Sequence, residues 1–100
     1  MIAPIPAREE LDLLAETFRL LGDQTRLRIL FLCLDKPRPV GEIAETLGLS
    51  QPLISHHLRL LRASRLVRGE RRAKQVFYEL ADDHIRDLLV DMAEHTQGKC

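Results

Sequence analysis

Cysteine is scarce in this chain: Cys33 and Cys100 are the two thiols among 100 residues, and neither sits in a CxxC pair. Two thiols are too few for a disulfide framework, so the expectation is a protein of the reducing cytoplasm. Long apolar runs are missing too. Nothing approaches the roughly 20 apolar residues that span a bilayer, and the opening MIAPIPAREE has neither the basic nor the apolar region of a secretory signal. No membrane association is expected. No phosphate-cradling glycine loop, HExxH, Ser-His-Asp or Cys-His grouping is present, which leaves an enzymatic reading without its machinery. No internal repeat or low-complexity tract divides the chain, so residues 1–100 are expected to form one domain around a small core.

Net charge is also absent, with 15 basic and 15 acidic residues, and that balance alone argues against a polyanionic partner. Its distribution argues otherwise. Between residues 59 and 74, Arg59, Arg62, Arg65, Arg68, Arg71, Arg72 and Lys74 stand against the single acid Glu70. Between residues 79 and 94, Glu79, Asp82, Asp83, Asp87, Asp91 and Glu94 stand against the single base Arg86. A basic block suits phosphate contact, and an acidic block suits a cation or a surface kept away from DNA. Two solvated helix faces would explain either block but not their segregation.

The basic block follows LSQPLISHHLRLL at residues 49–61. Ser50 is a good N-cap, Pro52 fits a first helical turn, and Ile54, Leu58 and Leu61 share one face. The other face carries Gln51, Ser55, His56 and Arg59, groups able to reach base edges and phosphates. An ordinary amphipathic core helix would share that pattern, so the flanks decide. Upstream, residues 40–47 read as a short helix with Ile43, Ala44 and Leu47 inward, and Gly48 supplies a left-handed turn residue. The pair makes a helix-turn-helix over residues 40–62. Downstream, LVRGERRAKQVFYEL reads as strand, turn, strand over residues 66–80, a two-stranded wing with Arg68, Arg71, Arg72 and Lys74 near its tip. A hairpin without a partner is the alternative.

Residues 1–7 are expected to be flexible. Leu11, Leu14, Ala15, Phe18 and Leu21 predict a helix over residues 8–21, closed by Gly22 in the C′ position. Asp23 caps a second helix with Leu27, Leu30, Phe31 and Leu34 inward and Arg26 and Arg28 outward, stopped by KPRP at residues 36–39. A final helix occupies residues 82–97, where the stripe Ile85, Leu89, Met92, Thr96 runs beside His84, Leu88, Asp91 and His95. The fold expected is mainly α, a winged helix-turn-helix of about five helices and a two-stranded wing.

Asp82, His84 and His95 are candidate metal ligands. His84 and His95 lie eleven residues apart on one helix, so roughly 16 Å separates them along its axis, whereas ligands of one Zn lie within about 4 Å of each other. A shared ion needs two antiparallel copies of the helix, with Asp82 and His84 from one subunit and His95 from its mate. Interfacial polar roles for the histidines satisfy the same pattern.

LGDQTRLRIL at residues 21–30, LSQPLISHHLRLLR at residues 49–62 and the wing ending VFYEL together resemble the ArsR/SmtB family of winged-helix bacterial metalloregulators, over about residues 11–96. The resemblance implies a homodimer joined through the first and last helices. It also implies repression at imperfect palindromic operators and release when a metal or another inducer binds. The expected repressor inserts Gln51, Ser55, His56 and Arg59 into the major groove and holds its wing on the backbone through Arg71, Arg72 and Lys74. Its expected inducer is a divalent ion, Zn foremost. Relatives that sense Zn, Co or Ni on the last helix use Asp-x-His near its start and His plus a further His or Glu three residues on near its end. Asp82, His84 and His95 match, but Gly98 takes the fourth position, leaving water, Glu94, Asp91 or Cys100 to complete the shell. The thiolate pair of arsenic, cadmium and lead sensors is missing from PRPVGEIA, which disfavours soft-metal sensing there. Relatives that sense persulfide or oxidant suggest an alternative through Cys33 and Cys100, although Cys33 in LFLCL also reads as a small core residue. A protein-protein adaptor on the same fold is a further alternative.

Overall fold

Short polar side chains set three of the helix starts. Asp23 accepts the amide of Arg26 at 3.0 Å, Ser50 that of Leu53 at 3.3 Å and Asp82 that of Ile85 at 3.1 Å, each such cap being worth about 1 kcal/mol. The computed structural model, which describes residues 4–98, places five helices and three strands in the order α1 (Arg8–Leu21), α2 (Gln24–Leu32), β1 (Arg38–Pro39), α3 (Val40–Leu47), α4 (Gln51–Ala63), β2 (Val67–Arg72), β3 (Gln75–Leu80) and α5 (Asp83–Thr96). Of the N-terminal segment expected to be flexible, residues 1–3 lie outside the described residues.

The two glycines expected to close helices do so differently. Gly48 has φ 69 and closes α3, with its amide on the Glu45 carbonyl and that of Leu49 on Ala44. Gly22 has φ −78, because a tight turn from its amide to the Arg19 carbonyl already leads into the extended Asp23 cap. No left-handed residue is needed there.

Leu20, Ile29, Leu30, Ile43, Ile54, Leu58, Leu61 and Leu66 form the centre of the core and are almost wholly removed from solvent, each worth about 1.5 to 3 kcal/mol of transfer free energy. α2 enters this core rotated from the expected face. Its inward line runs through Arg26, Ile29, Leu30 and Cys33, about one residue before the leucine-rich line, and Phe31 is left exposed. The cause is Arg26, whose guanidinium points into the protein and not outward as its charge suggested; Arg28 is exposed.

The sheet has three antiparallel strands in the order β1-β3-β2. β2 and β3 make the expected hairpin, from Val67 opposite Leu80 to Arg72 opposite Gln75. Beside this two-stranded wing, β1 adds a third strand by pairing Arg38 with Tyr78 and Pro39 with Phe77. Pro37 and Pro39 hold this stretch extended. Arg38 anchors it, donating to the Leu32 carbonyl at 2.5 Å, Glu42 at 2.5 Å and Asp35 at 3.2 Å.

The hairpin turns through Ala73 and Lys74, and Ala73 takes φ 56. A Cβ is strained in this left-handed region. Ala73→Gly should therefore raise the unfolding free energy by about 0.5 to 1 kcal/mol, read by urea denaturation as a higher midpoint at unchanged slope. A lower midpoint would refute a left-handed Ala73.

Candidate nucleic-acid interface

The polar face of α4 follows from its apolar one. Ile54, Leu58 and Leu61 are buried, which turns Gln51, His56 and Arg59 to solvent and leaves Ser55 half-buried. Gln51, Ser55 and Arg59 succeed one another at four-residue spacing along this surface. A shallow cleft lined by Val40, Gly41, Gln51, Lys74, Gln75 and Tyr78 joins the start of α4 to the wing tip. The fold thus brings Gln51 and Lys74 to one surface from opposite ends of the motif.

The wing is less positive in effect than its composition suggested. Arg68 is held by Glu79 across the hairpin at 2.6 Å, and Arg72 by Glu70 at 2.8 Å. The Arg72 guanidinium also lies 5.0 Å from the centre of the Phe77 ring. Among the described residues, Arg59, Arg71 and Lys74 are exposed basic side chains without a carboxylate partner. An exposed pair such as Arg72–Glu70 is worth about 1 kcal/mol at most, so a phosphate can take its arginine.

Sequence reasoning passed over His57 and set Arg26 outward. The His57 Nδ1 accepts from the Arg26 Nε at 3.3 Å, and its ring meets that of His56 edge to face at 5.7 Å. Burial lowers the pKa of His57 below the ordinary 6.5, Asp23 opposes the shift, and Arg26 and His56 add to it. The available signal was spacing: His57 lies three residues after Ile54 and four before Leu61, on the inner flank of α4.

At the start of α5, the Asp82 Oδ1 lies 3.8 Å from the His84 Nδ1, and both side chains are exposed. One oxygen and one nitrogen donor at that separation fit neighbouring positions around a single Zn-sized ion. His95 is on the last turn of the same helix, eleven residues on, roughly 16 Å along the axis. Among the described residues of one protomer, no three His, Cys, Asp or Glu side chains converge as a metal group. The structure therefore brings Asp82 and His84 together but not His95.

Cys33 is buried at the end of α2, and burial pushes its thiol up to about 12, so little thiolate exists at neutral pH. Cys100 lies outside the described residues. Phe18 and Leu21 of α1, Leu27 of α2 and Leu88, Leu89 and Met92 of α5 line an apolar surface hollow. Phe18 is 56% exposed and Met92 51%. Among the described residues, no helix is long and apolar enough to cross a membrane.

A model of the bacterial regulatory protein, arsR family, matches residues 23–68. The chain is 40% identical over 95 residues to the HTH-type transcriptional regulator KmtR of Mycobacterium tuberculosis, covering 92% of this chain and 72% of KmtR. It is 38% identical over 90 residues to the HTH-type transcriptional repressor SmtB of the same organism, covering 90% of this chain and 67% of SmtB. Among solved structures, apo-NmtR superposes with a TM-score of 0.79 at 34% identity, over 98% of this chain and 82% of the other. A homodimeric winged helix-turn-helix DNA-binding domain from Mycobacterium bovis gives a TM-score of 0.84 at 26% identity, over 96% and 91%.

Proposed function

Because the chain belongs to the ArsR family of bacterial regulatory proteins, whose members are DNA-binding transcriptional regulators and not enzymes, we propose that it is a homodimeric repressor released from its operator by a divalent metal ion, Zn foremost. The observation that carries the DNA half of this reading is the outer face of α4, which bears Gln51, Ser55, His56 and Arg59 and whose start shares a cleft with Lys74 of the wing that also bears Arg71 and Arg72. In this reading α4 enters the major groove and the wing lies along the backbone. The partner's α4 reads a second half-site about 34 Å away, one turn of the duplex. The apolar surface of α1 and α5 is the natural seam between the two copies.

The metal half rests on the paired Asp82 and His84. Those residues of one protomer, with His95 of the partner subunit, would hold the ion; Gly98 offers no donor, so water or a neighbouring side chain fills the fourth position. Ligation across the seam would favour a dimer geometry that no longer spans two successive half-sites. Thiol sensing has less support, because Cys33 is buried and burial pushes its thiol up, away from the reactive thiolate.

Coupling between metal and DNA must be reciprocal, about 5- to 150-fold in each direction. Zn titrated into the free and the DNA-bound dimer should show that factor as weaker metal binding to the complex. Equal affinities would eliminate the switch. His95→Ala should abolish the metal response while leaving metal-free duplex affinity unchanged.

A further inference from the structure

Most of what holds α4 on the protein is apolar. Burial of Ile54, Leu58 and Leu61 fixes its depth in the core and decides which face turns outward, and a directional bond can narrow its rotation further. A hydrogen bond has an angular preference, and one reaches α4 from the neighbouring α2. Arg26 donates Nε to the His57 Nδ1 at 3.3 Å and Nη1 to the Leu20 carbonyl at 3.2 Å, while its own amide is capped by Asp23 at 3.0 Å. One side chain therefore ties the last turn of α1 to the first turn of α2 and the middle of α4.

His57 precedes Arg59 by two residues and follows His56 directly, so a rotation at His57 is carried to the outer face. Recognition requires side chains held within roughly 10 to 20° of the productive geometry. We propose that Arg26 is a positioning residue for α4, holding it through His57 in the rotation that reads DNA, and that protonation of His57 releases the hold.

The chemistry at His57 is specific. Its Nδ1 accepts from Arg26 only as the neutral tautomer protonated at Nε2; an imidazolium has no lone pair and sets a second cation against the guanidinium. The charged groups around it are Arg26 and Asp23 from α2 and His56 from α4. α1 contributes the Leu20 carbonyl, and its Glu16 feels the charge of Arg26. Asp23 favours the imidazolium, but its carboxylate is already engaged as the cap of α2. Burial, Arg26 and His56 oppose protonation, so the folded protein takes up the proton below the ordinary 6.5. The hold is thus present at neutral pH and is lost as pH falls through the lowered His57 value.

The inference rests on the DNA reading, and the experiment separates the two. The full-length protein, kept in chelator so that the α5 histidines hold no metal, is titrated with a duplex selected from a random pool, at about pH 7.5 and about pH 5.5. The wild type should bind on the order of tenfold more weakly in acid. His57→Gln, whose amide oxygen accepts from Arg26 but does not titrate, should keep the neutral-pH affinity and lose the acid weakening. Arg26→Gln should be weak at both values, and His56→Gln should still weaken in acid. Nitrogen NMR of His57 should show an unprotonated Nδ1 at neutral pH that responds to Arg26→Gln. Equal pH profiles for wild type and His57→Gln, or a protonated Nδ1 at neutral pH, would overturn the positioning role alone. Failure of every variant and the wild type to bind duplex would overturn the DNA reading and the positioning role with it.

Discussion

Duplex binding should weaken by about a thousandfold as salt rises from about 50 to about 200 mM. Of the basic residues proposed to meet DNA, Arg59, Arg71 and Lys74 carry no carboxylate partner among the described residues, so two protomers present six such cations. Neutralising six phosphates gives a slope of log affinity on log salt of about −5. Arg72 adds to the slope only to the extent that a phosphate displaces Glu70. The variants separate reading from holding. Lys74→Ala removes one phosphate partner per protomer and should flatten the slope by about 2 for the dimer, equally for every sequence. Arg59→Ala should instead narrow the gap between preferred and mismatched sites, by about 1 to 3 kcal/mol for the base pair that the guanidinium reads in each half-site. Filter binding or fluorescence anisotropy across a salt series distinguishes the two patterns. A slope near zero would mean that these cations do not meet phosphates.

The features legible in the sequence were those set by neighbours along the chain. Asp23, Ser50 and Asp82 cap their helices because a cap needs only the amide three residues on. Gly48 turns left-handed because two helices meet within three residues. Asp82 and His84 approach each other because two residues at a helix start have little room to part.

What the sequence hid depended on partners distant in the chain. α2 sits about one residue round from the leucine-rich line, with Arg26 bonded to the Leu20 carbonyl and His57, and a leucine count cannot anticipate a half-buried guanidinium that turns inward. β1 is two residues long, too short for alternation to reveal, and exists because β3 offers it an edge. The basic block overstated the wing's charge because hairpin register sets Arg68 opposite Glu79. His95 cannot meet Asp82 within one helix, so its candidate role involves a second copy of the chain.

Phe18→Asp should leave the protomer folded and dissolve the dimer. Phe18 is 56% exposed on α1, within the apolar surface that Met92 extends from α5, so an aspartate there costs the isolated protomer little. In a two-fold dimer the same position is lost twice. A phenylalanine newly buried at an interface contributes about 1.5 to 3 kcal/mol, and the two copies together weaken association by roughly two to four powers of ten. DNA binding should then fall by about a hundredfold or more, because two linked reading helices exceed one by a factor of about 10² to 10⁴, and the salt slope should halve as half the phosphate partners leave. Sedimentation should show a monomer whose circular dichroism retains the helices. Met92→Asp should act in the same direction from α5. An undiminished dimer in both variants would move the seam elsewhere, and with it the pairing of Asp82 and His84 with His95 of the partner subunit, because the two assignments share one geometry.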